Sequence, residues 1–523
     1  MKFFVYIILM CMPLSVLAQE GTDDGIARLF HNIQYTGEAQ TTLSTGDYAP
    51  FWLTSNRQGL SSVERNSGYL RGSLIRPAET DSMRRWRIGY GADVAVAGNF
   101  TSTLVIQQLF GDVRYRALGL SVGAKERPME LKNNQLSTGS QTLGINARPV
   151  PQVRVEVPDW WVVPYTRGWL QVKGHVAYGK FTDNNWQHDF THQQSRYADN
   201  VLLHTKAGYL RIYNEDYDYP LSLEMGLEMA CQFGGTSYMR VDGAMQKTEN
   251  ESGLKSFWHA FIPGGGSDSY EDQYQFKNAE GNHLGSYLIR LNYDKRDWRA
   301  SIYADHYFED QSAMFLVDYN GYGTGASWND RVERKYFFYG LKDIQLGAEV
   351  WLKRGTWVRN IVAEYIYSKF QSGPVYHDHN QGTPDHISGQ DEYYNHYIYP
   401  GWQHWGQVMG NPLYTSPLYN EKGEIYAKDT RFMAFHVGIS GQPTQELSYR
   451  ILGTWKEGLG TYKQPFTKHK NQVNILMEAN YAFSQSKLKG WNIGVGLGYD
   501  NGEIVGDNFG CQLSIKKTGV FNF

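Results

Sequence analysis

The residues best suited to chemistry crowd into one stretch, 370–430. It holds His377, Asp378, His379, Asp385, His386, Asp391, Glu392, His396 and His404. Imidazoles and carboxylates at short spacing are metal-ligand types. In a segment so rich in histidine the spacing carries little information, and neither a metal nor another cofactor is expected. The same stretch carries Tyr393, Tyr394, Tyr397, Tyr399, Trp402, Trp405, Tyr414 and Tyr419. Aromatic rings pack on the C–H faces of sugars, and nearby Asp, Asn, Gln and His pair with hydroxyls. Tyr393, Tyr394, Tyr397, Trp402, His404 and Trp405 are therefore candidates for glycan contact. Tyr319, Trp328 and Asp330 form a second candidate surface. The competing reading is a loop that folds back and buries its own rings.

Covalent chemistry finds less support. There is no metalloprotease motif, no phosphate-binding loop and no nucleophile elbow. Gly264-Gly265-Gly266-Ser267-Asp268-Ser269 sets glycines beside serines. A nucleophilic serine needs a positioned base, and none is evident. No residue is assigned a catalytic role, and the chain is read as a non-enzyme.

The elements that would position these residues follow from composition and periodicity. Tyr 38, Phe 24 and Trp 15 bring aromatic content to 15% of 523 residues, with Gly 55 and only Pro 17. That bias favours β structure. A net charge of −3 lacks the basic excess of a nucleic-acid binder. A mean hydropathy of −0.52 excludes a helical membrane protein but not a membrane barrel, whose strands show lipid only every second residue. Residues 1–18 read as a signal peptide: Lys2, an apolar run over 3–17, and Val16-Leu17-Ala18 for cleavage. Cys231 and Cys511 remain after cleavage, too few for a disulfide scaffold. Both are read as small buried or lipid-facing hydrophobes.

Period-2 segments recur along the chain. Trp491, Ile493, Val495, Leu497 and Tyr499 alternate with Asn492, Gly494, Gly496 and Gly498. Leu221 through Phe233 alternates in the same way against Ser222, Glu224, Gly226 and Glu228. Connections alternate long and short, with long ones at 180–203, 234–285, 309–342, 370–430, 456–471 and 500–508. This sorting is expected of a transmembrane antiparallel β-barrel with short periplasmic turns and long extracellular loops. Thirteen strands are expected after residue 150. Five more are expected near 34–44, 67–76, 86–97, 101–109 and 113–123, with some of 20–66 helical. The total is about 18, in one barrel domain over 19–523. Trp169, Tyr178, Trp298, Phe308, Trp491 and Tyr499 suit interfacial girdles. Glu224, Glu228, Glu349, Glu364, Lys173 and Arg154 are assigned to the lumen, as a stiffening network or a pore lining.

Several stretches carry a family resemblance. They include Gly46-Asp47-Tyr48-Ala49-Pro50-Phe51-Trp52-Leu53-Thr54-Ser55-Asn56-Arg57-Gln58-Gly59 and Gly144-Ile145-Asn146-Ala147-Arg148-Pro149-Val150-Pro151-Gln152-Val153-Arg154. They also include Tyr303-Ala304-Asp305-His306-Tyr307-Phe308-Glu309-Asp310, Gly340-Leu341-Lys342-Asp343 and Glu364-Tyr365-Ile366-Tyr367. These stretches resemble the Wzi family of outer-membrane capsule-assembly proteins, and terminal Phe523 separately resembles the end of bacterial outer-membrane barrels. The resemblance implies an 18-stranded barrel in the Gram-negative outer membrane, a small helical plug element near one end, and lumen-filling loops. It implies a lectin-like role at the cell surface, holding capsular polysaccharide without covalent chemistry. Expected partners are that polysaccharide, outer-membrane lipid and, during biogenesis, the barrel-assembly machinery. A porin-like channel is the alternative, and a barrel-embedded hydrolase a weaker one.

Overall fold

The computed structural model describes residues 28–217, 219–263, 280–309, 321–322, 325–332, 343–371, 375–376, 386–387 and 391–521. The expected leader, Tyr319, His377, Asp378, His379, Asp385, the 264–269 run and Phe523 lie outside the described residues.

Eighteen antiparallel strands form one closed sheet. They are β1 (Ile33–Thr45), β2 (Asn66–Arg76), β3 (Trp86–Gly98), β4 (Leu104–Tyr115), β5 (Leu118–Ala124) and β6 (Gln152–Val162). Next come β7 (Leu170–Lys180), β8 (Leu202–Ile212), β9 (Leu221–Phe233), β10 (Asn282–Asp294), β11 (Trp298–Glu309) and β12 (Ile344–Leu352). The last six are β13 (Asn360–Tyr367), β14 (Phe432–Gly441), β15 (Leu447–Gly460), β16 (Pro465–Ala482), β17 (Trp491–Gly502) and β18 (Asn508–Phe521). Each strand pairs with its sequence neighbour, and β1 closes the ring on β18 from Ile33↔Phe521 to Thr45↔Phe509. Closure leaves no free sheet edge, which a membrane core requires.

The period-2 pattern divides outside from inside. Trp491, Ile493, Val495, Leu497 and Tyr499 are all exposed on β17. Leu70, Val96, Leu104, Ile302 and Phe435 are likewise exposed on other strands. These apolar side chains face lipid. Cys511 belongs to that outer face, whereas Cys231 is buried. Among the proposed girdle aromatics, Trp169, Trp298, Trp491 and Tyr499 are exposed, but Phe308 is covered. The inward glycines of β17 serve a close approach. A Cβ at Gly498 would meet Pro50 at 2.5 Å and one at Gly496 would meet Leu53 at 3.0 Å. The bare wall lets the helical turn Phe51–Thr54 lie against it.

Two sequence expectations are corrected. The segments expected at 101–109 and 113–123 are β4 and β5, joined by the tight turn Arg116-Ala117. A bulge is responsible: Asp93 pairs with Gln108 and Val94 with Ile106, leaving Gln107 extra. Gln107 and Gln108 are consecutive and both buried, which breaks the alternation. The long loop expected at 456–471 is instead a tall hairpin, with β15 and β16 joined by residues 461–464. Elsewhere the longest connections, 125–151, 181–201, 234–281, 310–343 and 368–431, all leave one end of the barrel. That end is called the loop end, and the opposite one the turn end.

The lumen is filled mainly by irregular chain. Residues 47–59, 125–151 and 391–430 enter it, and the short turns Phe51–Thr54 and Pro417–Tyr419 are helical. Helix α1 (Asn184–Thr191) and helix α2 (Leu254–Phe261) belong to loop-end connections instead.

Candidate functional site

The filler is fastened around the wall by charge-assisted hydrogen bonds. Lys132 donates to Asp305 (2.6 Å) and to the Gly139 carbonyl (3.0 Å), with both charged side chains fully enclosed. The Glu364 carboxylate accepts from Ser137 Oγ (2.6 Å), Thr138 N (2.8 Å), Thr138 Oγ1 (2.7 Å), Tyr303 Oη (2.6 Å) and Gln345 Nε2 (2.9 Å). Glu228 accepts from Tyr209 Oη (2.7 Å) and Ser140 Oγ (3.2 Å). Glu349 takes Arg290 (2.6 Å) and Asn133 (2.8 Å). Glu478 on β16 takes Arg57 (2.6 Å), and Asp500 on β17 takes the Phe51 amide (2.8 Å). Glu224 pairs with Arg211 (2.7 Å), Arg154 with Glu156 (2.6 Å), and Lys173 with Glu130. Ionic groups buried this deeply are costly unless every partner is in place, so they fix one arrangement of the filler.

Four of the aromatic-stretch candidates belong to this filler. Tyr393, Tyr394, Trp402 and His404 are buried, so the rings pack on one another rather than present an outer face. Tyr394 stacks on Tyr414 with centroids 4.1 Å apart, and Tyr307 meets Tyr393 edge-on at 4.7 Å. Trp402 donates through Nε1 to the Thr142 carbonyl (3.1 Å). A Cβ at Gly410 would fall 1.9 Å from the Tyr394 hydroxyl, so that backbone must be bare. His404 Nε2 accepts from the Thr182 amide (3.3 Å), which fixes Nδ1 as the donor to the Arg148 carbonyl (2.9 Å). Both ring nitrogens are thus spent on the neutral form, and burial holds its pKa below the ordinary value. Trp405 packs under Arg148, whose guanidinium carbon is 4.7 Å from its ring centre. Burial lowers the Arg148 pKa to about 10.

The loop end carries the exposed remainder. Tyr397 is 64% exposed, and Trp328 and Asp330 are exposed as well. Beside Tyr397, Arg196 donates to its carbonyl (3.4 Å). Across the rim, the tall hairpin presents Tyr462, Lys463, Lys468, His469 and Lys470. Lys463 pairs with Glu392 (2.8 Å), and Tyr426 Oη bonds Gln464 (2.9 Å). Arg431 lies 3.7 Å above the Tyr462 ring. Sequence reading missed this hairpin because it was read as a loop. Its cationic character, though not its strand pairing, is legible in Lys463, Lys468 and Lys470 flanking Phe466. The arrangement offers flat rings and cationic donors side by side, suited to hydroxyls and acidic groups of a polymer.

Inside lies a cavity of about 280 Å³ lined by Arg127, Arg154, His175, Glu126 and Glu228. Among the described residues no group of three His, Cys, Asp or Glu side chains could hold a metal ion.

These features define a closed 18-stranded membrane barrel whose interior is occupied by its own loops. No family model matches the sequence, and no curated protein matches it. Solved structures do. One is Wzi of Escherichia coli, described as an outer-membrane protein involved in group 1 capsule assembly and a carbohydrate-binding β-barrel. It is 14% identical, with a TM-score of 0.55, over 96% of this chain and 87% of that one. Pseudomonas aeruginosa OccK3 (OpdO) matches at 10% identity and a TM-score of 0.41, over 94% of this chain and 96% of its own. OprD of the same organism matches at 8% and 0.43, over the same shares. The likeness to Wzi is one of fold.

Proposed function

We propose that this chain is an exported, non-enzymatic outer-membrane protein that holds surface polysaccharide at its loop end and helps organise a capsule. The observation that carries this reading is the filled lumen. A barrel whose buried charges are engaged in fixing internal loops has its working surface at the rim rather than along a pore. The candidate contacts are Tyr397, Trp328 and Asp330, joined by Arg196, Tyr462 and the hairpin lysines. Tyr393, Tyr394, Trp402, His404 and Trp405 support that rim from beneath. Many weak contacts to a repeating polymer add up by multivalency, and no bond need be made or broken. Likeness in fold to a barrel described as carbohydrate-binding is consistent with this.

The test is binding of the purified protein in detergent to the host's own capsular polysaccharide, with an unrelated polysaccharide as control. Selective binding is expected, weakened by Tyr397→Ala and further by Lys463→Ala with Lys468→Ala. Absence of binding by the intact barrel, together with a steady bilayer conductance, would replace this reading by a solute channel through the charged cavity.

A further inference from the structure

A row of outward-facing side chains near the loop end does not fit a lipid-facing wall. Tyr178, His204, Cys231 and His283 are successive register partners across β7, β8, β9 and β10. Exposed Ile289 and Leu291 of β10 share the face of His283, while Arg290 points into the lumen. Lys206, paired with Val176 and Met229, is on the same outer face. Imidazoles and an ammonium there would meet hydrocarbon, but helix α2 covers His204 and Lys206, and His283 bonds the Glu280 carbonyl (3.0 Å) in the chain that follows the helix. Its Ser256 and Ala260 are buried, and Phe257 packs on Tyr178 and Phe233 at centroid distances of 5.1 Å. Tyr178 Oη donates to the Phe257 carbonyl (2.8 Å). Lys206 donates to the Phe261 carbonyl at the helix C-terminus, where cations are favoured. His259 pairs with Glu280 (2.8 Å) at the flank.

The helix is apolar on its far side too. Leu254 and Trp258, at i and i+4, are 92% and 59% exposed, and Ile262 just past the helix end is 49% exposed. A stripe of that size directed away from the protein needs an apolar partner. Its height suggests which. A strand rises about 3.3 Å per residue and tilts about 40°, so Cys231 stands roughly 25 Å above Leu221. An outward apolar band is about 25 Å tall, which puts α2 at its loop-end edge. The stripe continues the lipid-facing wall of β7–β10 sideways.

We propose that α2 is an interfacial helix, lying in the plane of the membrane and setting Leu254, Trp258 and Ile262 among the lipids at the acyl–headgroup boundary. Such a helix is apolar towards the lipid and anchored by aromatic residues. Here it is also a cover, sealing His204 and Lys206 from hydrocarbon. The inference rests on the barrel spanning a membrane and is independent of glycan binding.

The test places one nitroxide at position 258 (Trp258→Cys) in a Cys511→Ala background, in phosphatidylcholine–phosphatidylglycerol vesicles. Reference labels go at Leu291→Cys on the wall and at Lys247→Cys on an exposed hairpin. Collision with oxygen relative to a water-soluble nickel chelate reports depth. A ratio at 258 several-fold above that at 247, approaching that at 291, is the expected result. A ratio matching 247 would overturn the proposal. Poor access to both agents would also overturn it and point to a protein covering the helix. A water-like ratio at 291 would refute the membrane-spanning barrel itself. Because position 258 is exposed, its substitution leaves the fold intact.

Discussion

Lys132→Met tests whether the filler really shuts the barrel. Lys132 belongs to the irregular 125–151 segment, and Asp305 belongs to the wall at β11. Their side chains are 1% and 0% exposed, and the ion pair spans 2.6 Å. Removing the ammonium strands a carboxylate that also accepts from the Gln141 amide (3.1 Å). Breaking a buried pair from one side costs about 3–5 kcal/mol. Since about 1.4 kcal/mol is a factor of ten, displacement of the segment becomes about two to nearly four powers of ten more frequent. The assay is single-channel recording in planar bilayers beside thermal unfolding in detergent. The parent is expected to be silent, and the variant to show brief openings and a lower melting temperature. The control is Lys132→Met with Asp305→Asn, which removes both charges, keeps an acceptor for Gln141 and should recover most of the loss. A single variant as silent and as heat-stable as the parent would refute the reasoning, as would a double variant no better than the single one.

Three further outcomes are expected. Gly410→Ala places a methyl group into the Tyr394 hydroxyl and the Gln141 carbonyl (2.3 Å), so overpacking of about 1–3 kcal/mol should appear as faster proteolysis within 391–430. The 391–430 segment should loosen on acidification. His404 is held neutral by burial, and burial with the nearby Arg196 charge holds His396 down to about 4. Once unfolded, both rings take up protons near the ordinary value of about 6.5. Stability is therefore full above that pH and falls as pH drops through the window towards 4, read by hydrogen exchange, with His404→Gln flattening the response. Cys511 should react in vesicles with a lipid-soluble maleimide and not with a charged one, while Cys231 should react only after denaturation.

What the sequence revealed follows from which forces act locally. Strands such as β9 and β17 alternate because one side meets lipid and the other polar filler, so period 2 stands out. The strand count survived one misplaced boundary, because the bulge at Gln107 hides a turn without adding a strand. The loop-end hairpin was misread for a different reason. Above the bilayer both faces of β16 meet water, and Lys468-His469-Lys470 shows no alternation, although β15 keeps one buried face up to Gly460. The filler over 125–151 has no period at all. Its order comes from distant wall residues such as Asp305 and Glu364, which no local pattern announces. The aromatic stretch was recognised as dense in rings, yet whether a ring faces outward depends on Gly410, Thr142 and Tyr307, remote or unremarkable in sequence.

The seam between β1 and β18 has a consequence for biosynthesis. It joins the first strand to the last, and the 14 residues of β18 complete the ring. A chain released by the ribosome before those residues are made has two bare edges, one on β1 and one on β17. Such edges pair readily with other chains. Incomplete products would thus be marked by stickiness, and quality control in the compartment that receives them need only detect an open sheet to tell a fragment from a finished molecule.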